Sequence, residues 1–151
     1  MKKILFLIVI IIILSALAIT IIYTNKYIKK ASIPNVNINR HTFNVLTATT
    51  LDEQKKGLGN RASLDQNSGM LFIFNMPGNY GFWMKDMEFP LDIIYINNNK
   101  IISIFTLKKP NSNSQLQIVY PQSPSKYVLE INAGLSKKYN FKIGDAVKIN
   151  L

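Results

Sequence analysis

The chain of 151 residues has no cysteine, one histidine and two arginines. Without cysteine there is no disulfide framework, no thiol nucleophile and no lipid-modified cysteine to serve as an anchor. His41 stands alone, so histidine-built zinc sites and Ser–His dyads lack partners; it reads as a surface histidine ahead of a strand. The phosphate-binding GxxxxGK[ST], the dinucleotide GxGxxG, the GxSxG elbow and HExxH are all missing. Nothing supports cofactor-dependent redox chemistry, and no cofactor is expected. Internal repeats are absent as well.

What the chain does have is one long apolar run. Ile4 to Tyr23 is twenty residues without a charge, broken only by Ser15 and Thr20. At 1.5 Å rise per residue that length matches a hydrocarbon layer of about 30 Å. Lys2 and Lys3 precede it, and Lys26, Lys29 and Lys30 follow. The segment is therefore a signal peptide or a retained transmembrane anchor. Ala16-Leu17-Ala18 offers a cleavage site, giving a secreted product if cut after Ala18, but Ile19 to Tyr23 continue the apolar run beyond it. Length favours a single-pass anchor in the cytoplasmic membrane, with the following domain outside the cytoplasm.

The net charge of +10 shrinks once partitioned. Residues 1–30 hold five lysines and no acid, leaving thirteen Lys and Arg against eight Asp and Glu in residues 31–151. No basic stripe marks a nucleic-acid surface, and nucleic acid is not an expected partner. The expected partners are the membrane, through residues 4–23, and an unknown ligand or envelope component.

Residues 1–30 form the anchor and its basic flank, 31–35 a linker ending in Pro34-Asn35, and 36–151 a single domain. Val36 to Thr47 alternates and predicts a first strand. Thr50-Leu51-Asp52-Glu53 fits a capping box, opening a short helix through Lys56 that Gly57 and Gly59 stop. Asn60 to Ser68 is a polar loop carrying Arg61. Met70–Phe74 and Gly81–Met87 are strands, separated by the turn-rich Asn75–Asn79. Asp92–Ile96 and Lys100–Leu107 form a hairpin across Asn97-Asn98-Asn99. Lys108 to Ser125, with three prolines, is a long loop. Tyr127–Ile131 is a strand, Ala133–Tyr139 one or two helical turns and Ala146–Leu151 a last strand. The pattern is a β-rich α+β domain, a small open barrel or antiparallel sheet with two short helices.

Candidate site residues concentrate where charge interrupts apolar strands. Trp83-Met84-Lys85-Asp86 and Pro90-Leu91-Asp92 place charges where a core strand needs none. Asp86, Glu88 and Asp92 could hold a hard cation through oxygen. The preferred reading has Asp86 and Asp92 accepting backbone N–H bonds at a turn and Glu88 solvated, with no metal. Arg61, in a chain that otherwise uses lysine, implies a planar fork for a carboxylate, with Asp86, Asp92 and Glu130 as the available clamps. Trp83, the only tryptophan, is read as core in preference to a stacking platform. Met70, Phe72 and Phe74 alternate and are core, and Asp145 is a turn aspartate.

Gly57-Leu58, Arg61, Gly69-Met70-Leu71-Phe72, Phe82-Trp83-Met84-Lys85, Pro90-Leu91-Asp92-Ile93, Tyr127-Val128-Leu129-Glu130 with Gly134, and Gly144-Asp145 occur in order over about residues 40–151. Together they resemble the family called domain of unknown function 192, or ACR. The resemblance implies a compact β-rich domain, often behind a signal sequence, and supplies no catalytic residue. The family commonly follows the lysine of its FWMK segment with Asn-Thr, where this chain has Asp86-Met87.

The leading functional expectation is a membrane-tethered, extracytoplasmic, non-catalytic binding or accessory domain. One alternative is a hydrolase or lyase with Asp92 or Glu130 as general base and Arg61 or Lys85 stabilising an anion, which requires all four around one pocket. The other is a cell-wall or polysaccharide binder, which requires Trp83, Phe82 or Tyr80 exposed on one face.

Overall fold

The computed structural model describes residues 2–27, 33–111 and 116–151. Residues 31 and 32 of the expected linker and 112–115 of the expected long loop lie outside them. The chain divides into two units, Met1–Ser32 and Ile33–Leu151. The first contains helix α1, Lys2–Tyr27. Its stretch Lys2–Tyr23, with mean hydropathy 3.3, is apolar enough to cross a membrane. Apolar side chains are exposed on every side of it, as a helix surrounded by lipid would present them.

The second unit is a curled seven-stranded sheet in the order β6-β5-β8-β3-β2-β1-β9. The strands are β1 (Asn35–Ile38), β2 (His41–Ala48), β3 (Ser68–Gly78), β5 (Leu91–Asn97), β6 (Lys100–Leu107), β8 (Ser125–Asn132) and β9 (Val147–Asn150). Every pairing is antiparallel except β2 with β3. That parallel pair needs a crossover, which helix α2 (Leu51–Lys56) and the loop behind it provide. The two edges of the sheet meet at one end. Lys100 bridges Ala146, Ile101 N–H donates to Asp145 O at 3.0 Å and Val147 N–H to Asn99 O at 2.8 Å. The result is a half-barrel with short helices, the expected β-rich class.

Most elements follow local chemistry. The β5–β6 hairpin turns on Asn98 and Asn99 at φ 48° and 57°, a left-handed conformation that asparagine tolerates. Four expectations change. The strand expected over Val36–Thr47 is two, because Asn39 at φ 54° folds β1 back onto β2. Gly81–Met87 keeps only Phe82–Trp83 as β4, since Asp86 at φ 57° turns the chain away. The long loop contributes Ile118–Val119 as β7, the partner of β4. The turn-rich stretch after Phe74 instead extends β3 to Gly78.

The sheet is buried on both faces. One face packs Val36, Phe43, Leu71, Ile94, Leu129 and Ile131 against Leu135 and Phe141. The other packs Met70, Phe72, Ile93, Tyr95 and Val128 beneath Leu58, Phe82 and Met87. β5 is accordingly buried from Leu91 through Ile96, a continuous apolar run apart from Asp92.

Candidate ligand-binding pocket

The pocket begins with α2. Thr50 Oγ1 accepts Glu53 N–H at 3.3 Å, and Glu53 Oε2 accepts the N–H groups of Thr50 and Thr49 at 2.9 and 2.8 Å. This is the expected capping box. The bonds from Thr50, then Thr49, hold the Glu53 carboxyl down at about 2. Gln54 Nε2 donates to Ile73 O at 3.0 Å, pinning the helix to β3. The helix stops at Gly57, whose φ of 50° and ψ of −137° suit glycine alone. Beyond it, Asn60 N–H donates to Asp86 O at 2.8 Å, tying the loop to the turn after β4.

Under that helix end lies Glu130. It sits on β8, opposite Met70 of β3 and Ile93 of β5, in the middle of the sheet. Close approach of β3 to β8 requires Gly69, where a Cβ would come within 2.7 Å of Glu130 O. Glu130 is 5% exposed, and its Oε2 is buried without a hydrogen-bond partner. Burial pushes its carboxyl up from 4.5 to about 8, so the group is mainly protonated at neutral pH. A Cβ at Gly57 would lie 3.9 Å from that oxygen and 3.4 Å from Phe72 Cζ, which places the glycine over the carboxyl.

The space between has a volume of about 190 Å³. Phe72, Phe74, Tyr80 and Phe82 wall it, and Lys55, Lys56, Lys85 and Trp83 also line it. The walls are held ring against ring. Phe74 stacks on Tyr80 at 3.6 Å, and Phe72 meets Phe82 edge to face at 4.8 Å. Tyr95 supports Phe82 from the sheet at 5.7 Å, its hydroxyl donating to Val119 O at 2.8 Å and lying 3.1 Å from Tyr80 O. Burial, with the Glu130 charge adding, pushes the Tyr95 phenol up. A second hollow of about 570 Å³ shares Trp83 and the three lysines and adds Asp52, Asn60 and Asp86.

The six sequence candidates do not converge. Glu130, Lys85 and Trp83 line the pocket together. Asp92, paired in register with Ile131, lies on the opposite sheet face. It is fully buried and accepts from Thr106 Oγ1 at 2.6 Å, Gly134 N–H at 3.1 Å and Ser136 N–H at 2.7 Å. Asp92 thus holds the start of α3 (Leu135–Lys138) against β5. Arg61 is exposed, and its expected carboxylate clamp is not formed. The one ion pair among the described residues is Lys109 with Glu88, the acid expected to be merely solvated. Trp83, expected in the core, is 43% exposed, because a two-residue strand leaves its ring at the rim. Phe82 is buried and Tyr80 half-buried. Asp86 is exposed at positive φ, a conformation Asn and Asp share, which gives its position a backbone reason. No three His, Asp or Glu side chains among the described residues are grouped to hold a metal ion.

Lys55 and Lys56 escaped the list of candidates, and Tyr80 entered only as an exposed ring for a polysaccharide. The first two signalled only a helix end, and nothing in the sequence announces that Tyr80 folds back on Phe74.

Residues 34–149 match the domain of unknown function 192 (DUF192, Uncharacterized ACR). The chain belongs to the DUF192 family. Among solved structures it is similar to a protein of unknown function from Novosphingobium aromaticivorans DSM 12444, with TM-score 0.71 and 31% identity over 79% of this chain and 94% of the other. It is also similar to a protein from Sinorhizobium meliloti 1021 described as a proposed transcription regulator, with TM-score 0.70 and 29% identity over 77% and 92%. No curated protein matches the chain. As a DUF192 domain it shares this half-barrel with both structures.

Proposed function

We propose that this DUF192 protein is a membrane-tethered, extracytoplasmic binding domain that takes a small ligand into the Glu130 pocket. The observation that carries the reading is the Glu130 carboxyl, buried with an unpartnered oxygen at an aromatic-walled cavity. An orphaned buried polar group costs about 1–3 kcal/mol, so an oxygen without an internal partner is most economically explained by an external one. The cavity suits a small ligand, since drug-sized molecules use roughly 300–1,000 Å³. The tether is supported by α1, which is long and apolar enough to cross a membrane.

Binding is favoured over catalysis. Asp92, the alternative base, faces away, its carboxylate accepting three hydrogen bonds. Glu130 has no second acid or histidine beside it in the cavity to complete an acid–base pair. The test is a small-molecule screen by saturation-transfer NMR, run on the wild type and on Glu130→Leu. Ligands that bind unchanged and lose affinity in the variant are expected. Turnover of a bound compound by the wild type would defeat the binding reading. A cytoplasm-only reporter fused after Leu151 should be silent; activity there would reverse the topology.

A further inference from the structure

Resting on that reading, we propose that the pocket recognises a zwitterion, with an ammonium head enclosed by the aromatic walls against Glu130 and an anionic group held outside by Lys55, Lys56 and Lys85. The polar inventory argues this directly. A neutral polyol needs several fixed donors and acceptors around it, yet apart from Gln54, whose amide already donates to Ile73 O at 3.0 Å, the walls are Phe72, Phe74, Tyr80 and Phe82, and Glu130 is the one carboxyl in the lining. The Tyr80 hydroxyl is already engaged with Met76 O at 2.8 Å. Aromatic faces around a single acid are what an alkylated ammonium seeks, through ring quadrupoles and one opposite charge.

Three lysines in the lining would repel a simple cation. The same three attract a ligand whose other end is a phosphate or carboxylate. All three are exposed, and none of them forms an ion pair among those in the described residues. Trp83 borders both hollows and offers its ring to the stretch between the two charges. A cavity of about 190 Å³ accepts a head of a few carbons and leaves the anion at the mouth.

The apo carboxyl, at about 8, must lose its proton for the cation to bind. The other titratable groups around it are the Tyr80 phenol and the three lysines of the lining, and behind Phe82 the Tyr95 phenol, which burial pushes up. Proton release from Glu130 therefore dominates between pH 6 and 8. Affinity should rise about tenfold per pH unit over that range and level off above it.

The test uses the full chain reconstituted in phosphatidylglycerol vesicles, which carry no ammonium, with Trp83 fluorescence as the readout. Probes are phosphocholine, glycine betaine, choline, inorganic phosphate and glucose. Phosphocholine and betaine are expected to bind with the rising pH profile, and choline more weakly. Glu130→Gln should remove the pH slope and at least tenfold of the affinity, with a cooperative melt showing that it folds. Replacing the three lysines by glutamine should weaken phosphocholine and leave choline unchanged or improved. Adding phosphatidylcholine to the vesicles separates the sources: competition with soluble phosphocholine indicates a lipid headgroup, and none indicates a free solute. Equal binding of glucose or phosphate, or affinity that falls as pH rises, would overturn the zwitterion while leaving a binding pocket in place. Silence from every probe would also overturn it, and the small-molecule screen then judges the pocket by itself.

Discussion

Two carboxylates on neighbouring strands, Asp92 on β5 and Glu130 on β8, occupy opposite chemical situations. They are one register step apart, since Asp92 pairs with Ile131 and Glu130 with Ile93, so they face opposite sides of the same sheet. Asp92 is fully buried and accepts three donors. Glu130 is nearly as buried and leaves Oε2 unpartnered beside a cavity. A buried acid whose oxygens are filled by donors is part of the scaffold, whereas one with a buried, unpartnered oxygen in the lining of a pocket is available to something else.

The largest effect that would break this contrast comes from Asp92. Asp92→Ala orphans the buried N–H of Ser136 and frees the part-buried N–H of Gly134, and should destabilise the domain by about 3–5 kcal/mol, with α3 detaching first. Chemical denaturation measures it. A loss comparable to that of an exposed substitution would mean that Asp92 is not a scaffold residue.

Glu130 supplies the next effect, and its sign is unusual for an acid. With a folded value of about 8 against 4.5 in the unfolded chain, the folded state holds the extra proton between those limits. Stability is therefore complete below about pH 4.5 and falls as pH rises toward 8, by at most about 1.4 kcal/mol per unit. Melts across pH 5–8 should show this decline, and Glu130→Gln should flatten it. Glu53, held down at about 2, works in a separate window: its contribution is present above about 4.5 and fades as pH drops toward 2. A wild-type profile rising from pH 5 to 8 would contradict the burial of Glu130.

Sharper still is Glu130→Leu. Removing an unpartnered buried oxygen in favour of apolar surface should stabilise the domain by about 1–2 kcal/mol while abolishing ligand binding. For Asp92 the same substitution should only destabilise. If both variants destabilise alike, Glu130 is structural too.

Whether either acid was legible beforehand depended on range. The capping box at Thr50–Glu53, the Asn98-Asn99 hairpin and the anchor-length run are local signals, and each element forms where its residues call for it. Asp92, Glu130, Lys85 and Trp83 were visible as polar or bulky interruptions of strands. Their separation was not, because the face a residue takes depends on register across strands distant in sequence. The parallel β2–β3 pair and the β4–β7 ribbon arise from such pairings too. Trp83 departs from the expected core position because the stretch that carries it leaves the sheet after two residues.

The smallest expected effect belongs to Arg61. Its rarity among lysines suggested a fork gripping Asp86, Asp92 or Glu130. In the folded domain it is exposed, Asp92 is filled by other donors, and Glu130 lies beneath Gly57 on the pocket floor. With no buried partner to strand, Arg61→Ala should shift stability by no more than about 0.5 kcal/mol. Arg61→Lys should be indistinguishable from it, because there is no bidentate geometry to lose. Arg61 is also absent from the lining of the Glu130 pocket, so ligand affinity should hold as well. A melting point lowered by several degrees in Arg61→Ala and restored in Arg61→Lys would show that charge at this position supports the loop between α2 and β3. Unchanged stability with lost binding would extend the recognition surface past the three lysines to Arg61, making the anion's contact broader than the pocket mouth.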